Sequence, residues 1–233
     1  MSRSGCVEKL RTMDMPGWQL GAPRFEDVEV RAENLIGREG DGFRIAMATF
    51  DRSRPTVAAQ AVGRAQGAID LALDYAMRRH GFGQAPAGHQ GMQFKLAEME
   101  TEVAAARADV PGRDGRRRGG PGAHQEPVSM EKLFAPDAAM RVATEAVQAL
   151  GGNGYLKDFP AERMMRDAKV LQIYEGANEI QRLVIARHLA KEAAGREPVW
   201  PECMPGAERV TGGQGAPDRN LGPVAEERLG TPA

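Results

Sequence analysis

One carboxylate occupies a position in which it could do chemistry. Glu175 is followed by Gly176 in the run 172–176, which joins two stretches of helical pattern. A carboxylate in such a joint can lie near a helix N-terminus, and the neighbouring glycine lets a ligand approach the backbone closely. Spacing alone favours a simpler explanation, a solvated loop glutamate. A catalytic base and an ordinary surface residue are therefore both open at this stage.

A glycine-rich run and an Asp/Arg pair offer two further candidates. Residues 148–154 read QALGGNG, and such glycines let a backbone approach a phosphate or a cofactor. They also tolerate the left-handed conformation that ends helices, so an ordinary helix stop explains the same residues. Asp51 and Arg54, just before Pro55, fit either an anion clamp or a solvated helix turn.

Several classes of site are disfavoured by the sequence. The four histidines, at positions 80, 89, 124 and 188, are too scattered for a zinc site, so we expect no metal. The three arginines at 116–118 lack interleaved aromatic residues, which disfavours an RNA-binding tract. A net charge of -1 over 233 residues also argues against nucleic acid or an anionic membrane as partner. No run approaches the roughly 20 apolar residues of a membrane span.

Helices must position the candidate residues. Aromatic residues make up only 5% of the chain and alanine is abundant, a composition that favours a helical core. An apolar stripe spaced by four and three residues predicts an amphipathic helix over about 89–108. The stripe consists of Met92, Leu96, Met99, Val103 and Ala106.

Further helical patterns surround this one. They predict a helix over about 42–79 that is kinked or restarted at Pro55, and a helix over about 129–150. A short helix over 160–169 and a last helix from Asn178 follow, and Asn178 with Gln181 resembles a capping box. Phe25–Val30 alternates apolar and acidic residues and predicts one short strand, whereas residues 1–24 read as irregular. The predicted fold class is all-α, an up-and-down four-helix bundle.

The ordered motifs resemble those of a known family. They are FEDVEV, AENLIG, GDGFRIAMATFDRSRP, RRHGFG, HQGMQFKLAEME, SMEKLFA and the continuous run from Gln148 to Arg187, which contains IYEG. In this order they resemble the C-terminal half of the acyl-CoA dehydrogenases, over residues 25–108 and 129–191. The resemblance implies that 1–35 is a remnant of a middle β domain, 36–192 a helical-bundle domain and 193–233 a disordered tail.

The resemblance also implies an activity. Family members remove two hydrogens across Cα–Cβ of an acyl-CoA thioester in fatty acid metabolism, with FAD as cofactor and an electron-transfer flavoprotein as electron acceptor. A glutamate takes the α-proton while the β-hydrogen leaves as hydride. The resemblance further implies a homotetramer or homodimer, located in the bacterial cytoplasm or, in a eukaryote, in the mitochondrial matrix.

Roles for individual residues follow from the same resemblance. Glu175 matches the catalytic base of the family. Isovaleryl-type relatives carry their base at the position that Ser53 occupies here, so Glu175 is the only candidate base that the resemblance leaves. The positions that match FAD contacts are Arg79, Phe82, His89, Gln90, Gln148, Gly151, Gly152, Ala177, Asn178 and Glu179. The positions that match substrate contacts are Asp51, Arg54, Gly176 and Arg187.

Three departures from the family pattern leave other functions open. The N-terminal helical domain and most of the β domain have no counterpart, so we expect a truncated chain. Residues 109–128 are rich in glycine, proline and arginine where the family has helix, which suggests a pair of compensating reading-frame shifts. The tail beyond 193 has no counterpart either. The alternative function is therefore a non-catalytic helical fragment that acts at most as an oligomerisation module. Members of the fold that oxidise other substrates or bind DNA are a third possibility.

Overall fold

The computed structural model describes residues 3–15, 17–18, 20–109 and 125–196. The chain divides into a unit that ends at Glu192 and a second that begins at Ala193, of which only 193–196 are described. The described part is mainly helical, which confirms the predicted helical bundle. Its helices are α1 (Gly42–Arg78), α2 (Gln90–Asp109), α3 (Gln125–Leu150), α4 (Ala161–Leu171) and α5 (Asn178–Ala194).

Small residues hold the bundle together. One face of α1 carries alanine at every third or fourth position and is almost completely buried against α3. Because alanine adds little beyond the backbone, the two helices can approach closely. Met99, Val103 and Ala106 of α2 are buried in the same core, and Met92 and Leu96 pack against it, which confirms the predicted stripe. The alanines of α1 are Ala58, Ala61, Ala65, Ala68 and Ala72.

The helix α1 is long and uninterrupted. Its 37 residues correspond to a length of about 55 Å. The predicted restart at Pro55 does not occur, although proline removes one backbone hydrogen bond. The residues that follow it, Val57, Ala58 and Ala61, are buried in the core. Their packing keeps the helix continuous across the proline, so that a single element reaches from Asp51 to the α1–α2 connection.

The N-terminal region differs from the prediction. The strands β1 (Arg3–Leu10) and β2 (Leu20–Glu26) pair antiparallel, from Arg3 opposite Glu26 to Leu10 opposite Leu20. The interpretation of 1–24 as irregular is therefore wrong for most of these residues. The predicted strand over 25–30 is wrong beyond Glu26, since Asp27 has a φ of 46° and leaves the extended conformation. Pairing with a distant segment, rather than an alternating pattern, defines these strands.

Two helix boundaries also differ from the predicted ones. Asp109 belongs to α2, and residues 125–128, which we expected to be irregular, form the first turn of α3. A proline is tolerated there because the first turn has no intrahelical partner for its N–H group. The rest of the predicted irregular segment, 110–124, and the predicted tail from 197 onward lie outside the described residues.

Candidate active site

The loop between α4 and α5 carries the predicted base. Glu175 has a φ of 58° and the following Gly176 a φ of 93°. The left-handed conformation costs a residue with a Cβ about 1–2 kcal/mol. A glutamate adopts it only where the surrounding structure imposes it. The contacts of this loop, residues 172–178, therefore explain how the carboxylate is held.

Two residues of α1 hold Glu175 from one side. The Ser53 hydroxyl donates a hydrogen bond to Oε2 of Glu175. Arg54 is 4% exposed, and its Nε donates to the backbone carbonyl oxygen of Glu175 at 3.0 Å. Nη1 of the same guanidinium donates to Oδ1 of Asp51 at 2.7 Å, which fixes the arginine on its own helix. The first half of α1 thus contacts both the side chain and the backbone of the predicted base.

Gly176 is required by its surroundings as well as by its φ. A Cβ atom there would lie 2.9 Å from Nε2 of Gln181 and 3.4 Å from Nη2 of Arg54. Nε2 of Gln181 donates to the carbonyl oxygen of Gly176 at 2.9 Å, so the close approach is a hydrogen bond that a side chain would displace. The structure therefore explains why glycine follows the glutamate.

Asn178 joins the loop to α3. Its side chain is buried, and Nδ2 donates to Oδ1 of Asp137 at 2.7 Å while Oδ1 accepts from Nζ of Lys132 at 2.9 Å. Its backbone N–H donates to the carbonyl oxygen of Gln172 at 3.0 Å. The predicted capping box is wrong, because the side chains of Asn178 and Gln181 bond to α3 and to Gly176 instead. The amide that the resemblance assigns to FAD is thus fully engaged inside the bundle.

Lys132 is a residue that the sequence analysis did not single out. Its side chain is completely buried, and burial together with the nearby charge of Arg54 lowers the pKa of Lys132 to about 8. Carboxylates at Asp137, Glu179 and Glu175 act in the opposite direction. A signal was present: a lysine interrupts a stripe spaced by four and three residues, whose other members are apolar and buried. The members are Val128, Lys132, Ala135, Ala139 and Val142.

Tyr174 fixes the other side of the loop. Its hydroxyl donates to Oε1 of Gln60 at 2.5 Å. Its ring meets that of Trp18 edge to face, with the ring centroids 5.8 Å apart. Burial, and secondarily the charge of Glu175, raise the pKa of Tyr174. The tyrosine therefore stays neutral near pH 7 and acts as an anchor.

A second group of predicted residues lies where α1 meets α2. Arg79, Gln90 and Phe82 are exposed, and Phe82 has a φ of 53° with its side chain wholly in solvent. Arg79 has no carboxylate partner within the described part of the chain. His89 is half-buried, and its Nδ1 lies 3.0 Å from Nε2 of Gln84.

The end of α3 belongs to the same end of the bundle. Nδ2 of Asn153 donates to the Tyr75 hydroxyl of α1 at 2.9 Å. Gly151 has a φ of 60°, and a Cβ atom at Gly151 or Gly152 would meet nothing within 4 Å. Gln148, one turn earlier, is exposed. We call Arg79, Phe82, Gln148, Gly151 and Gly152 the open end of the bundle.

The structure does not bring all predicted residues together within one chain. Ser53 and Arg78 are 25 residues apart on one continuous helix, which corresponds to about 37 Å. The loop with Glu175 and the open end are therefore too far apart to contact a single dinucleotide. Glu179 is exposed and pairs with Arg182 at 3.4 Å, and Arg187 lies exposed further along α5.

Two further features are absent from the described residues. No group of three or more His, Cys, Asp or Glu side chains there could hold a metal ion. In the same residues, no helix is long and apolar enough to cross a bilayer.

The fold and the loop define a class: a helical bundle with a carboxylate on a left-handed turn between its last two helices. Comparison with known proteins gives the family. Residues 40–190 match the family model for the C-terminal domain of acyl-CoA dehydrogenases. An acyl-CoA dehydrogenase of Bacillus subtilis is 51% identical over 182 residues, which are 78% of this chain and 48% of that protein. A cyclohexane-1-carbonyl-CoA dehydrogenase of Geobacter metallireducens is 48% identical over 82% of this chain and 49% of its own length.

A solved structure supports the same assignment. Butyryl-CoA dehydrogenase of Megasphaera elsdenii superposes with a TM-score of 0.77 at 42% identity, over 80% of this chain and 49% of that one. The chain therefore belongs to the acyl-CoA dehydrogenase family. It spans about half the length of the relatives that it matches.

Proposed function

We propose that this chain contributes the catalytic base to an FAD-dependent acyl-CoA dehydrogenase, with Glu175 removing the α-proton of the thioester. The observation that carries the proposal is the geometry of Glu175. Its carboxylate is positioned by Ser53, its carbonyl oxygen by Arg54, and its backbone N–H has no hydrogen-bond partner among the described residues.

The chemistry requires both features. An α-proton is weakly acidic, so its removal needs a base and a hydrogen-bond donor for the negative charge that develops on the carbonyl oxygen. Glu175 offers a carboxylate and, on the same residue, an N–H group available to an incoming thioester. Gly176, the residue next to the base, matches a substrate-contact position of the family. Asp51 and Arg54 lie on α1, on the same side of the loop as Ser53, and hold the loop in place.

The open end fits a nucleotide cofactor. Arg79 is exposed and has no carboxylate partner among the described residues. Phe82 presents an aromatic ring, and Gly151 and Gly152 leave space for close backbone approach. When bound, FAD supplies the hydride acceptor of the reaction. We propose that these residues, with Gln148, His89 and Gln90, hold the dinucleotide part of the cofactor. Ala177 and Glu179 would contribute from the loop side.

A second copy of the chain is part of the proposal. Because Ser53, which contacts Glu175, and Arg78, next to the open end, are about 37 Å apart along α1, the open end would serve the cofactor of a neighbouring subunit. The helix α5 supports this, since its backbone makes no close approach to the other described helices. Its Ile180 and Leu183, one turn apart, are each about half exposed, which leaves an apolar face available for association.

Three further expectations come from the family. They are electron transfer to a flavoprotein, a dimer or tetramer as the final assembly, and a location in the bacterial cytoplasm or the mitochondrial matrix. They stay predictions for this chain.

A non-catalytic role is the second candidate. The exposed apolar residues of α5 favour it, because an interaction module needs an accessible apolar surface. Flavin absorbance separates the two candidates. If the purified chain binds FAD neither alone nor after mixing with the N-terminal half of a relative, the result would support the role as an interaction module.

The decisive test of the catalytic role is Glu175→Gln in the chain combined with the N-terminal half of a relative. The amide keeps the size of the side chain but cannot accept the α-proton. We expect anaerobic bleaching of the flavin by an acyl-CoA to slow by roughly 10²–10⁴-fold, while flavin binding persists. Glu100→Gln, an exposed carboxylate of α2, is the matched control. Equal bleaching rates for the two variants would remove Glu175 from the mechanism.

A further inference from the structure

Among the interactions that anchor the loop with Glu175, three hold Glu175 and the residues that follow it, and each acts on a different residue. Arg54 of α1 bonds to the carbonyl oxygen of Glu175, and Gln181 of α5 bonds to that of Gly176. The third anchor comes from α3, where Lys132 and Asp137 hold the side chain of Asn178. The first two fix the left-handed turn itself. The third holds the side chain of Asn178, the residue at which the loop enters α5.

The third anchor is buried. Lys132 and Asn178 are 0% and 3% exposed, and within the described structure the one hydrogen bond of the Lys132 ammonium goes to Oδ1 of Asn178. An ammonium has three donors and is costly to bury, so a fully enclosed lysine with a single amide acceptor is unusual in a helical core. Its place in an otherwise apolar stripe of α3 could be filled by Met or Leu at lower cost. Packing alone therefore does not explain a lysine at this position.

We propose that Lys132 is a positioning residue: through Asn178 it fixes the junction of the loop with α5 and thereby holds Glu175 in its left-handed conformation. The catalytic consequence rests on the proposed function, since it matters for reaction only if Glu175 is the base. The positioning itself does not depend on that role. It is a property of contacts within this chain.

The charge of Lys132 makes the anchor sensitive to pH. Arg54 of α1 disfavours the charged form, while Asp137 of α3, Glu179 of α5 and Glu175 of the loop favour it. Loss of the proton leaves a neutral amine, which is a weaker donor to Asn178 because a charge-assisted hydrogen bond is the stronger kind. Because the pKa of Lys132 is about 8, this loss of the proton occurs in a pH range in which the folded chain can be studied.

Amide hydrogen exchange on the chain itself tests the proposal. In Lys132→Met we expect the N–H of Asn178, which bonds to Gln172, to exchange about tenfold faster or more, the scale for loss of one hydrogen bond to a charged group. Amides in the middle of α1 should keep their rates. Lys95→Met removes a half-exposed lysine of α2 that pairs with Glu145, and it is the matched control. Unchanged exchange at Asn178 in Lys132→Met would overturn the proposal.

A double-mutant cycle separates positioning from general loosening of the core. Asn178→Ala removes the acceptor, so adding Lys132→Met to it should accelerate loop exchange no further. Additive effects would mean that Lys132 acts by another route and would overturn the proposal. Asn178→Ala also serves if Lys132→Met fails to fold, since it removes the same anchor without touching α3. Faster exchange at Gln181 and Ile180 in that variant is then the expected result, and unchanged exchange overturns the proposal.

A pH titration supplies the readout that a purely structural role would not move. In the wild-type chain, the amide NMR signals of Glu175 and Gly176 should shift with a midpoint near pH 8. The shift should vanish in Lys132→Met and persist in Lys95→Met. A titration near pH 8 that persists without Lys132 would contradict the proposal. Failure of Glu175→Gln to slow flavin bleaching would overturn the proposed function instead, and would leave these exchange and titration results unaffected.

Discussion

The two ends of the bundle are built on opposite principles. Around Glu175, the polar side chains are buried and each makes at least one hydrogen bond: Arg54, Lys132, Asn178 and Gln181 are each less than 5% exposed, and all bond to the loop or to its neighbours. At the open end, Arg79 and Phe82 are exposed and the glycines at 151 and 152 face empty space. The groups at one end bond to each other within the chain, and those at the other end are accessible to solvent.

This difference separates folding from binding. Buried polar groups that are paired contribute to stability, and removing one partner leaves the other unsatisfied. Exposed groups contribute little to the folded chain, so their identities reflect what they bind. Substitutions at the loop end should therefore reduce stability as well as function. Substitutions at the open end should reduce binding and leave folding unchanged.

The largest effect on stability is expected at Arg54. Arg54→Met removes the bonds to Asp51 and to the carbonyl oxygen of Glu175, and leaves both acceptors without that partner. We expect the free energy of unfolding to fall by about 3 kcal/mol, the scale for breaking one side of a buried ion pair. Urea denaturation measures it. Arg52→Met, at an exposed position two residues earlier, should stay within about 0.5 kcal/mol of wild type. Similar losses in the two variants would contradict the contrast between buried and exposed groups.

The next effect concerns pH. Lys132 has a pKa of about 8 in the folded chain and an ordinary value of 10.5 when unfolded. Between these values the unfolded state binds more protons, so the free energy of unfolding should rise as the pH increases from 8 to 10.5. The gain is at most about 3 kcal/mol. Denaturation at several pH values should show this rise in wild type and in Lys95→Met, and should show it strongly reduced in Lys132→Met. The same rise in all three would mean that other groups cause it.

The sequence predicted the helices of the bundle and the candidate residues at both of its ends. It did not predict the contacts that form between separate segments. The helical periods predicted α1, α2 and the last helix to within a few residues, because each is a local repeat of apolar positions. The pair of strands was not predicted, because Leu20–Glu26 becomes a strand by pairing with Arg3–Leu10 and not through an alternating pattern of its own. Ser53 was recognised as unable to replace the base, but not as its hydrogen-bond partner, since 122 residues separate it from Glu175. The contact between Lys132 and Asn178 was not predicted for the same reason, since the two residues lie on different helices.

A smaller effect is expected on the exposed face of α5. Leu183→Glu places a charge on an apolar position that is 52% exposed, so folding of the single chain should be nearly unaffected. Self-association should weaken by about tenfold or more, because a charge is costly in the apolar centre of an interface. Sedimentation velocity at several concentrations measures it. Ala104→Glu adds the same charge at an exposed position of α2 and is the control. Equal weakening by both variants would argue against α5 as the interface.

The smallest expected effect on stability lies at Phe82, where the comparison between the two ends is sharpest. Its side chain is wholly exposed, so nothing in the folded chain packs against it, and its φ of 53° strains any residue with a Cβ. Phe82→Ala should therefore leave the free energy of unfolding within about 0.5 kcal/mol of wild type. Phe82→Gly should be more stable than Phe82→Ala by about 0.5–1 kcal/mol, because glycine relieves the strain at some cost in chain entropy. Thermal denaturation of the three proteins checks the order. A loss of 2 kcal/mol or more in Phe82→Ala, by the scale of buried aromatic residues, would mean that Phe82 packs within the chain. It would also remove the reason for assigning that ring to a binding role.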